Sequence, residues 1–198
     1  HPTQKNALHT TNPKTPKTAL APACPSLGAM AAKNKKILLG GGKRQAQEAG
    51  REAAEATGQY SVNFRWLGGM LTNMATIKKS IARLDYLENL DKQPEYKSMS
   101  KKELAALSRE REKLLRNLQG IRNMGGAPDV MIAIGADHED IAIREAHILG
   151  IPVIVLTDSN ADPDSVDFPI PGNDDAVRSI RLILSVLVDA INKARVAA

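Results

Sequence analysis

The chain contains basic side chains next to paired glycines, and these residue types and spacings are best suited to binding another molecule. Residues 64–73 read Phe-Arg-Trp-Leu-Gly-Gly-Met-Leu-Thr-Asn and include the chain's single tryptophan. Arg65 offers a planar fork of donors that suits phosphate or an aromatic face. Gly68 and Gly69 indicate unusual backbone angles or the close approach of another molecule. The segment is typical of a binding surface, although a dry structural corner could use the same residues.

A second basic pair, Lys43 and Arg44, follows three glycines at 40–42. A phosphate loop would need glycine at position 37 and Ser or Thr after the lysine, but Ile37 and Arg44 stand there. A basic pair at the start of a helix could still hold a backbone phosphate. A tight turn from strand to helix needs no ligand, so both interpretations stay open.

Catalytic and metal chemistry finds little support in the sequence. Residues 158–164 resemble the start of a calcium loop, but Pro163 and Pro169 replace the expected glycine and glutamate. His138 and His147 would point to opposite sides of one helix. We predict no catalytic residue, no metal site, no cofactor and no enzymatic activity. No apolar run approaches the roughly 18 residues of a membrane helix, so a membrane span is not expected.

The charges are segregated along the chain. Residues 1–47 carry eight Lys or Arg and no Asp or Glu, whereas residues 128–175 carry eleven Asp or Glu and one basic residue, Arg144. Residues 74–124 are basic again, with twelve Lys or Arg against seven Asp or Glu. Such asymmetry favours a polyanionic partner, with a solvated basic tail as the simpler alternative.

Apolar periodicity predicts three parts: an extended basic arm (1–32), an α/β domain (33–73 and 125–198), and a coiled-coil hairpin inserted at 74–124. Within the hairpin, Ser100 and Glu103 form a capping box. Strands are predicted at 36–39, 60–64, 130–134 and 151–156, with an edge strand at 166–170. Helices are predicted at 43–56, 139–149 and 174–194, with Asn173 as the N-cap of the last. Short apolar strands between helices indicate a parallel sheet covered on both faces.

Together these segments closely resemble the family of small-subunit ribosomal protein two, the S-two family, in its bacterial and organellar form. The resemblance rests on ordered blocks: GKRQAQE (42–48), RWLGGMLTN (65–73), GIRNMGGAPD (120–129), DIAIREA (140–146), GIPV (150–153), DPDSVD (162–167) and IPGNDDA (170–176).

The resemblance implies an α/β fold with a central parallel sheet flanked by helices, of the Rossmann or flavodoxin-like type, and a protruding antiparallel coiled-coil hairpin. It implies a structural role between the head and body of the small ribosomal subunit, in a bacterial cytoplasm, a mitochondrion or a plastid. The implied partners are small-subunit rRNA, neighbouring ribosomal proteins and, in bacteria, the large mRNA-binding protein S-one.

Our hypothesis from the sequence is a ribosomal scaffold that binds rRNA by neutralising phosphates, because aromatic residues are too few for base stacking. The competing class is a doubly wound enzyme that binds a nucleotide or sugar phosphate at the carboxyl ends of its strands. The residues predicted to bind rRNA are Lys43, Arg44, Arg65, Trp66, Gly68, Gly69, Lys78, Lys79, Arg83, Lys14 and Lys17.

Overall fold

The computed structural model describes Gly28, residues 32–157 and residues 168–197. In this part of the chain, five strands form one sheet in the order β2-β1-β3-β4-β5, and every neighbouring pair is parallel. The strands are β1 (Ile37–Gly40), β2 (Tyr60–Val62), β3 (Val130–Ile134), β4 (Val153–Thr157) and β5 (Phe168–Pro171). A parallel α/β sheet was the predicted fold class, and it is confirmed.

The burial of the strands follows from their sequences. Every residue of β1, β3 and β4 is buried, as expected for unbroken apolar strands covered on both faces. β5 contains Pro169 and Pro171 and lies at an edge, where a strand tolerates residues without an N–H donor. The predicted edge strand is therefore confirmed.

Five α-helices cover the two faces of the sheet in the described residues. They are α1 (Gln47–Thr57), α2 (Met74–Glu88), α3 (Lys101–Leu118), α4 (Asp140–Ile148) and α5 (Val177–Ala197). On one face, α1 and α5 pack on alternate strand residues that include Ile37, Leu39 and Ile132. On the other face, α2, α4 and the end of α3 pack on the intervening residues, such as Leu38 and Met131.

The α2 and α3 helices contact each other and are linked by two short 3-10 helices, Leu90–Lys92 and Pro94–Ser98. Arg83 Nε on α2 lies 2.9 Å from Glu110 Oε1 on α3. The predicted capping box at the start of α3 is confirmed, because the side chains of Ser100 and Glu103 each bond the backbone N–H of the other. A projecting coiled coil stays a prediction.

Two predicted helix starts were wrong. α1 begins at Gln47 and not at residue 43, because the amides of Ala46 and Gln47 both bond the Lys43 carbonyl in a preceding turn. α5 begins at Val177, so Asn173 is not its N-cap. Instead, Asn173 Oδ1 accepts from the Asp175 amide at 2.9 Å. The β2 strand also ends at Val62, two residues earlier than predicted.

Only Gly28 and residue 32 of the predicted arm lie among the described residues, and both are helical. Gly28 is buried, and a Cβ built on it would lie 3.2 Å from the Ala194 Cβ of α5. Lys14, Lys17 and the calcium-like segment 158–164 lie outside the described residues. None of the described helices is long and apolar enough to cross a membrane.

Candidate functional site

The carboxylate of Glu145 organises residues 65–73, which we call the diglycine loop. Its Oε2 atom accepts hydrogen bonds from Trp66 Nε1 at 2.8 Å and from the Gly69 amide at 3.0 Å. Its Oε1 atom accepts from the Leu71 and Thr72 amides, both at 3.1 Å, and from Thr72 Oγ1 at 2.9 Å. One carboxylate therefore binds five donors and fixes most of the loop.

The packing of α4 explains why Glu145 points inward. Ala142, Ile143 and Ala146 are buried against the sheet, and helical periodicity puts Glu145 on the same face with only 6% of its surface exposed. A buried carboxylate must be well hydrogen-bonded to stay charged. Burial raises the pKa of Glu145, but the hydrogen bonds from Trp66, Thr72 and Gly69 together bring that pKa below its ordinary value.

The two glycines of the loop have different structural requirements. Gly69 has φ +90°, a left-handed conformation that disfavours any side chain, and an added Cβ would lie 3.0 Å from Asn73 Cβ. Gly68 is exposed, and an added Cβ would meet no atom within 4 Å. The fold therefore needs glycine at position 69 but leaves room for a side chain at position 68.

The side chains that flank Trp66 point to a solvent-facing surface. Arg65 is exposed and has neither an ion pair nor a hydrogen bond within the described part of the chain. Phe64 is 43% exposed, and the Arg116 guanidinium lies 4.8 Å from its ring centre. Within the described residues the Arg65 guanidinium is thus exposed and unpaired, next to an indole that Glu145 holds in place.

Lys43 is held inside the protein. Its Nζ atom lies 3.3 Å from Asp174 Oδ1 and 3.0 Å from Asp175 Oδ1. Burial lowers the pKa of Lys43, but hydrogen bonds to Asp175 and Asp174 more than offset burial and leave that pKa above its ordinary value. Of the two interpretations of this turn, the structure favours a turn that is satisfied within the protein.

The Gly42 amide, next to Lys43, also has a partner within the protein, since it donates a hydrogen bond to Glu139 Oε1 at 2.8 Å. Glu139 is 3% exposed. Burial raises the pKa of Glu139, and the Gly42 amide and His138 only partly oppose that rise. The carboxyl end of β1, where an α/β enzyme would bind phosphate, is therefore occupied by the protein's own groups.

The remaining basic residues predicted as contacts lie on two elements. Arg44 lies in the turn before α1, whereas Lys78 and Lys79 lie one turn into α2, directly after the diglycine loop. All three are exposed and have no ion pair in the described structure. Arg83 is engaged by Glu110 and lies 5.4 Å from the Tyr86 ring centre. Arg65, Lys78 and Lys79 are thus neighbours along the chain, while Lys43 belongs to a separate, internally paired cluster.

No ligand cavity coincides with a catalytic or metal-binding cluster in the part of the chain that the structure describes. A groove of about 1010 Å³ runs between α1, β2 and α3 and is lined by Phe64 and Arg116 among others. Across residues 32–157 and 168–197, no group of three or more His, Cys, Asp or Glu side chains could hold a metal ion.

Sequence reasoning missed the roles of Glu139 and Glu145, two of the buried carboxylates in the described residues. A signal for Glu145 was available, because it lies three residues after Ala142 and directly before Ala146 on the apolar face of a predicted helix. For Glu139 no such signal existed. We had assigned it to the first turn of a helix, but it precedes α4 and bonds a glycine 97 residues away.

These features define an α/β domain with a five-stranded parallel sheet, two helices that contact each other and a loop held by the Glu145 carboxylate. A profile of the family described as Ribosomal protein S2 matches residues 2–194, and the chain belongs to that family.

Curated relatives agree with this assignment. The chain is 52% identical over 162 residues to the small ribosomal subunit protein uS2 of Idiomarina loihiensis, covering 82% of this chain and 67% of the relative. It is 47% identical over 191 residues to uS2 of Pseudoalteromonas translucida, covering 96% and 79% respectively. It is 51% identical over 169 residues to uS2 of Tolumonas auensis, covering 85% and 70%.

Proposed function

We propose that this chain is a structural component of the small ribosomal subunit that binds rRNA mainly through phosphate neutralisation. The observation that carries the proposal is Arg65, an exposed guanidinium with no partner among the described residues, at the start of a loop that Glu145 fixes. A fixed planar fork suits phosphate oxygens, and most contacts to nucleic acids go to the backbone. Family membership makes rRNA the polyanion concerned.

The contact surface that we propose has a core and a periphery. Arg44, Arg65, Lys78 and Lys79 form the core, because their charges are exposed and unpaired in the described structure. Arg83 can join them, since an exposed pair such as Arg83–Glu110 is worth only about 0–1 kcal/mol and can exchange for phosphate. Trp66, Gly68 and Gly69 shape the surface. We propose three secondary contacts: Lys14, Lys17 and Lys43. Lys43 can contact RNA only after its salt bridge with Asp174 breaks.

We further propose that residues 74–124, which contain α2 and α3, form a coiled-coil hairpin inserted into an α/β domain of residues 33–73 and 125–198. The salt bridge between Arg83 and Glu110 and the mutual contacts of the two helices support this division. The arm is assigned to residues 1–32. By resemblance to its family, the protein would lie between the head and body of the subunit. It would contact neighbouring ribosomal proteins and the large mRNA-binding protein S-one there.

The ribosome concerned is proposed to be of the bacterial type, in a bacterial cytoplasm or in an organelle. The relatives named above come from bacteria, which favours the first. We propose a non-enzymatic role, and the internal use of Lys43 and the Gly42 amide supports it against a phosphate-binding enzyme. A thermal-shift screen with nucleotides should show no stabilisation. A marked rise in melting temperature would favour the enzyme.

The test of the proposal is the reversal of one charge. Arg65→Glu should leave the thermal unfolding midpoint nearly unchanged, because the side chain is exposed and has no ion pair or hydrogen bond within the described residues, and should reduce incorporation into small subunits. Arg178→Glu, the same charge change at an exposed position of α5, is the matched control. Equal incorporation of the two variants and the unmodified protein would contradict the proposed contact. The affinity for rRNA should also fall steeply with salt.

A further inference from the structure

We infer that Glu145 is a positioning residue for RNA binding: it holds the diglycine loop in the shape that presents Arg65 and the open surface at Gly68. This inference rests on the proposed function. Glu145 itself faces inward and does not contact the partner. Its effect on binding is exerted through the loop, and this effect can be separated by experiment from both overall folding and direct charge effects.

The hydrogen bonds of Glu145 are concentrated on this loop. The donors come from Trp66, Gly69, Leu71 and Thr72, at distances from 2.8 to 3.1 Å. An ionised carboxylate has about four lone-pair sites, so five donors saturate it. Within the described residues the Gly69, Leu71 and Thr72 amides donate to Glu145 and to no other acceptor, so without it they would lose their partner in a half-buried loop.

The loop itself has little regular structure to hold its shape. Between β2 and α2 the backbone forms turns, with the Met70 amide on the Leu67 carbonyl at 3.1 Å and the Asn73 amide on the Gly69 carbonyl at 2.7 Å. Met70 and Leu71 are buried in the core shared with α4, whereas Arg65 and Gly68 face outward. The Glu145 carboxylate joins the outward part of the loop to the core. A preformed loop binds with less loss of conformational entropy than a mobile one.

The sign of the charge makes the inference testable. A carboxylate near a surface that binds a polyanion is electrostatically unfavourable, so its removal alone should strengthen RNA binding. If Glu145 acts by positioning, its removal should weaken binding instead. A purely electrostatic effect and a positioning effect therefore have opposite signs in the same variant.

The experiment measures the affinity of the full chain and of its Glu145→Gln variant for small-subunit rRNA. The RNA is transcribed in vitro from the rRNA gene of Idiomarina loihiensis. The variant loses the charge and one acceptor oxygen, so the loop should spend less time in the binding shape, and binding should weaken about tenfold if that shape falls to about a tenth of the population. Asp140→Asn is the matched control. Asp140 lies on the same helix and pairs with Arg144, away from the loop, so this variant should bind equally well or slightly more tightly. Unchanged or tighter binding by Glu145→Gln would overturn the inference.

Two readouts do not depend on RNA. Trp66 is the only tryptophan, so its emission reports the loop directly, and it should shift when Glu145 becomes glutamine. The Gly69, Leu71 and Thr72 amides should exchange with deuterium at least about tenfold faster, while the amides of β3 keep their protection. Unchanged loop exchange in the folded variant would overturn the positioning role.

A second variant covers the case in which Glu145→Gln does not fold. Thr72→Val removes one donor and keeps the negative charge, and it should weaken RNA binding severalfold with a smaller change in Trp66 emission. Binding equal to that of the unmodified protein would overturn the inference. If the unmodified protein itself failed to bind rRNA, the proposed function would fail, and the exchange data would still report whether Glu145 orders the loop.

Discussion

Trp66 Nε1 lies 2.8 Å from Glu145 Oε2, so the only indole of the chain bonds a carboxylate 79 positions further on. The first residue lies in the loop before α2 and the second on α4, and both elements pack on the same face of the sheet. The loop therefore reaches its final shape only when β3 and α4 are in place. The diglycine loop is one continuous stretch of sequence, but its shape depends on the folding of the whole α/β domain.

The two adjacent glycines should respond very differently to alanine. Gly69→Ala forces a side chain into φ +90° and against Asn73, and should lower the free energy of unfolding by about 1–3 kcal/mol. Gly68→Ala meets no atom within 4 Å and should change it by less than about 0.5 kcal/mol. Urea unfolding of both variants measures the difference. Equal losses would show that the loop conformation described above is wrong.

Reduced subunit incorporation of the stable Gly68→Ala variant would show in addition that another molecule approaches this position closely. Normal incorporation of this variant would show that the other molecule contacts the loop at a position other than Gly68.

Close packing should make Gly120 intolerant of any side chain. A Cβ at this position would overlap the Ser61 carbonyl oxygen of β2, which is backbone and cannot rotate away. Gly120→Ala should therefore cost about 3 kcal/mol or more, the upper range for overpacking. The matched control is again Gly68→Ala, in which the new side chain meets no atom within 4 Å. Gly150→Ala is unsuitable as a control because Gly150 has φ +69° and would itself be strained. Thermal unfolding within a degree of the unmodified protein would contradict the packing of the 3-10 helix Gln119–Ile121 on β2.

Glu145 and Glu139 should have opposite effects on the pH dependence of stability. The pKa of Glu145 in the folded state is below its ordinary value, so its stabilising effect is present above that ordinary value and is lost as pH falls through the folded pKa. Glu145→Gln should therefore be less stable than the unmodified protein at neutral pH. The two stabilities should converge in acid. Urea unfolding at several pH values between about 3 and 7 measures this.

Glu139 should behave in the reverse manner. Its folded pKa is raised by burial, so its ionisation costs stability as pH rises from the ordinary value through the folded pKa. Glu139→Gln removes this cost and can still accept from the Gly42 amide. We expect it to be as stable as the unmodified protein or more stable at neutral pH, with no advantage in acid. A loss of stability at neutral pH would show that the charged form is needed.

The capping box of α3 should contribute measurably to stability. Ser100 Oγ accepts from the Glu103 amide at 3.2 Å, and the loss of such an N-cap costs about 0.5–2 kcal/mol. Ser100→Ala should lower stability by that amount. Ser108→Ala, at an exposed position inside the same helix, should be neutral or slightly stabilising because alanine favours helix. A neutral Ser100→Ala would mean that the helix start is held by tertiary packing alone.

Regular periodicity made most of the sheet predictable. The apolar runs that became β1, β3 and β4 are short, continuous and followed by turn residues, and the predicted ends of α1 and α4, at 56 and 149, lie one residue from the observed ends. Helix starts were less predictable. Asn173 is a favoured N-cap residue, but Asn173 Oδ1 bonds the Asp175 amide, and Asp174 pairs with Lys43 from a distant part of the chain.

The candidate site was only half predictable, for the same reason. Arg65, Gly68 and Gly69 were recognised because their residue types are informative without a neighbour. Glu145 acts through five donors that only the tertiary fold brings to it. The different roles of Gly68 and Gly69 also depend on backbone angles that two identical letters do not reveal.

We propose above all that this chain is part of the small ribosomal subunit and binds its rRNA through the diglycine loop. The most direct measurement is sucrose-gradient sedimentation of tagged full chain expressed in Idiomarina loihiensis, with Arg65→Glu and Arg178→Glu run in parallel. We predict that the unmodified protein and Arg178→Glu sediment with the small subunit, and that Arg65→Glu moves largely to the top of the gradient. Unmodified protein found only in ribosome-free fractions would contradict the claim.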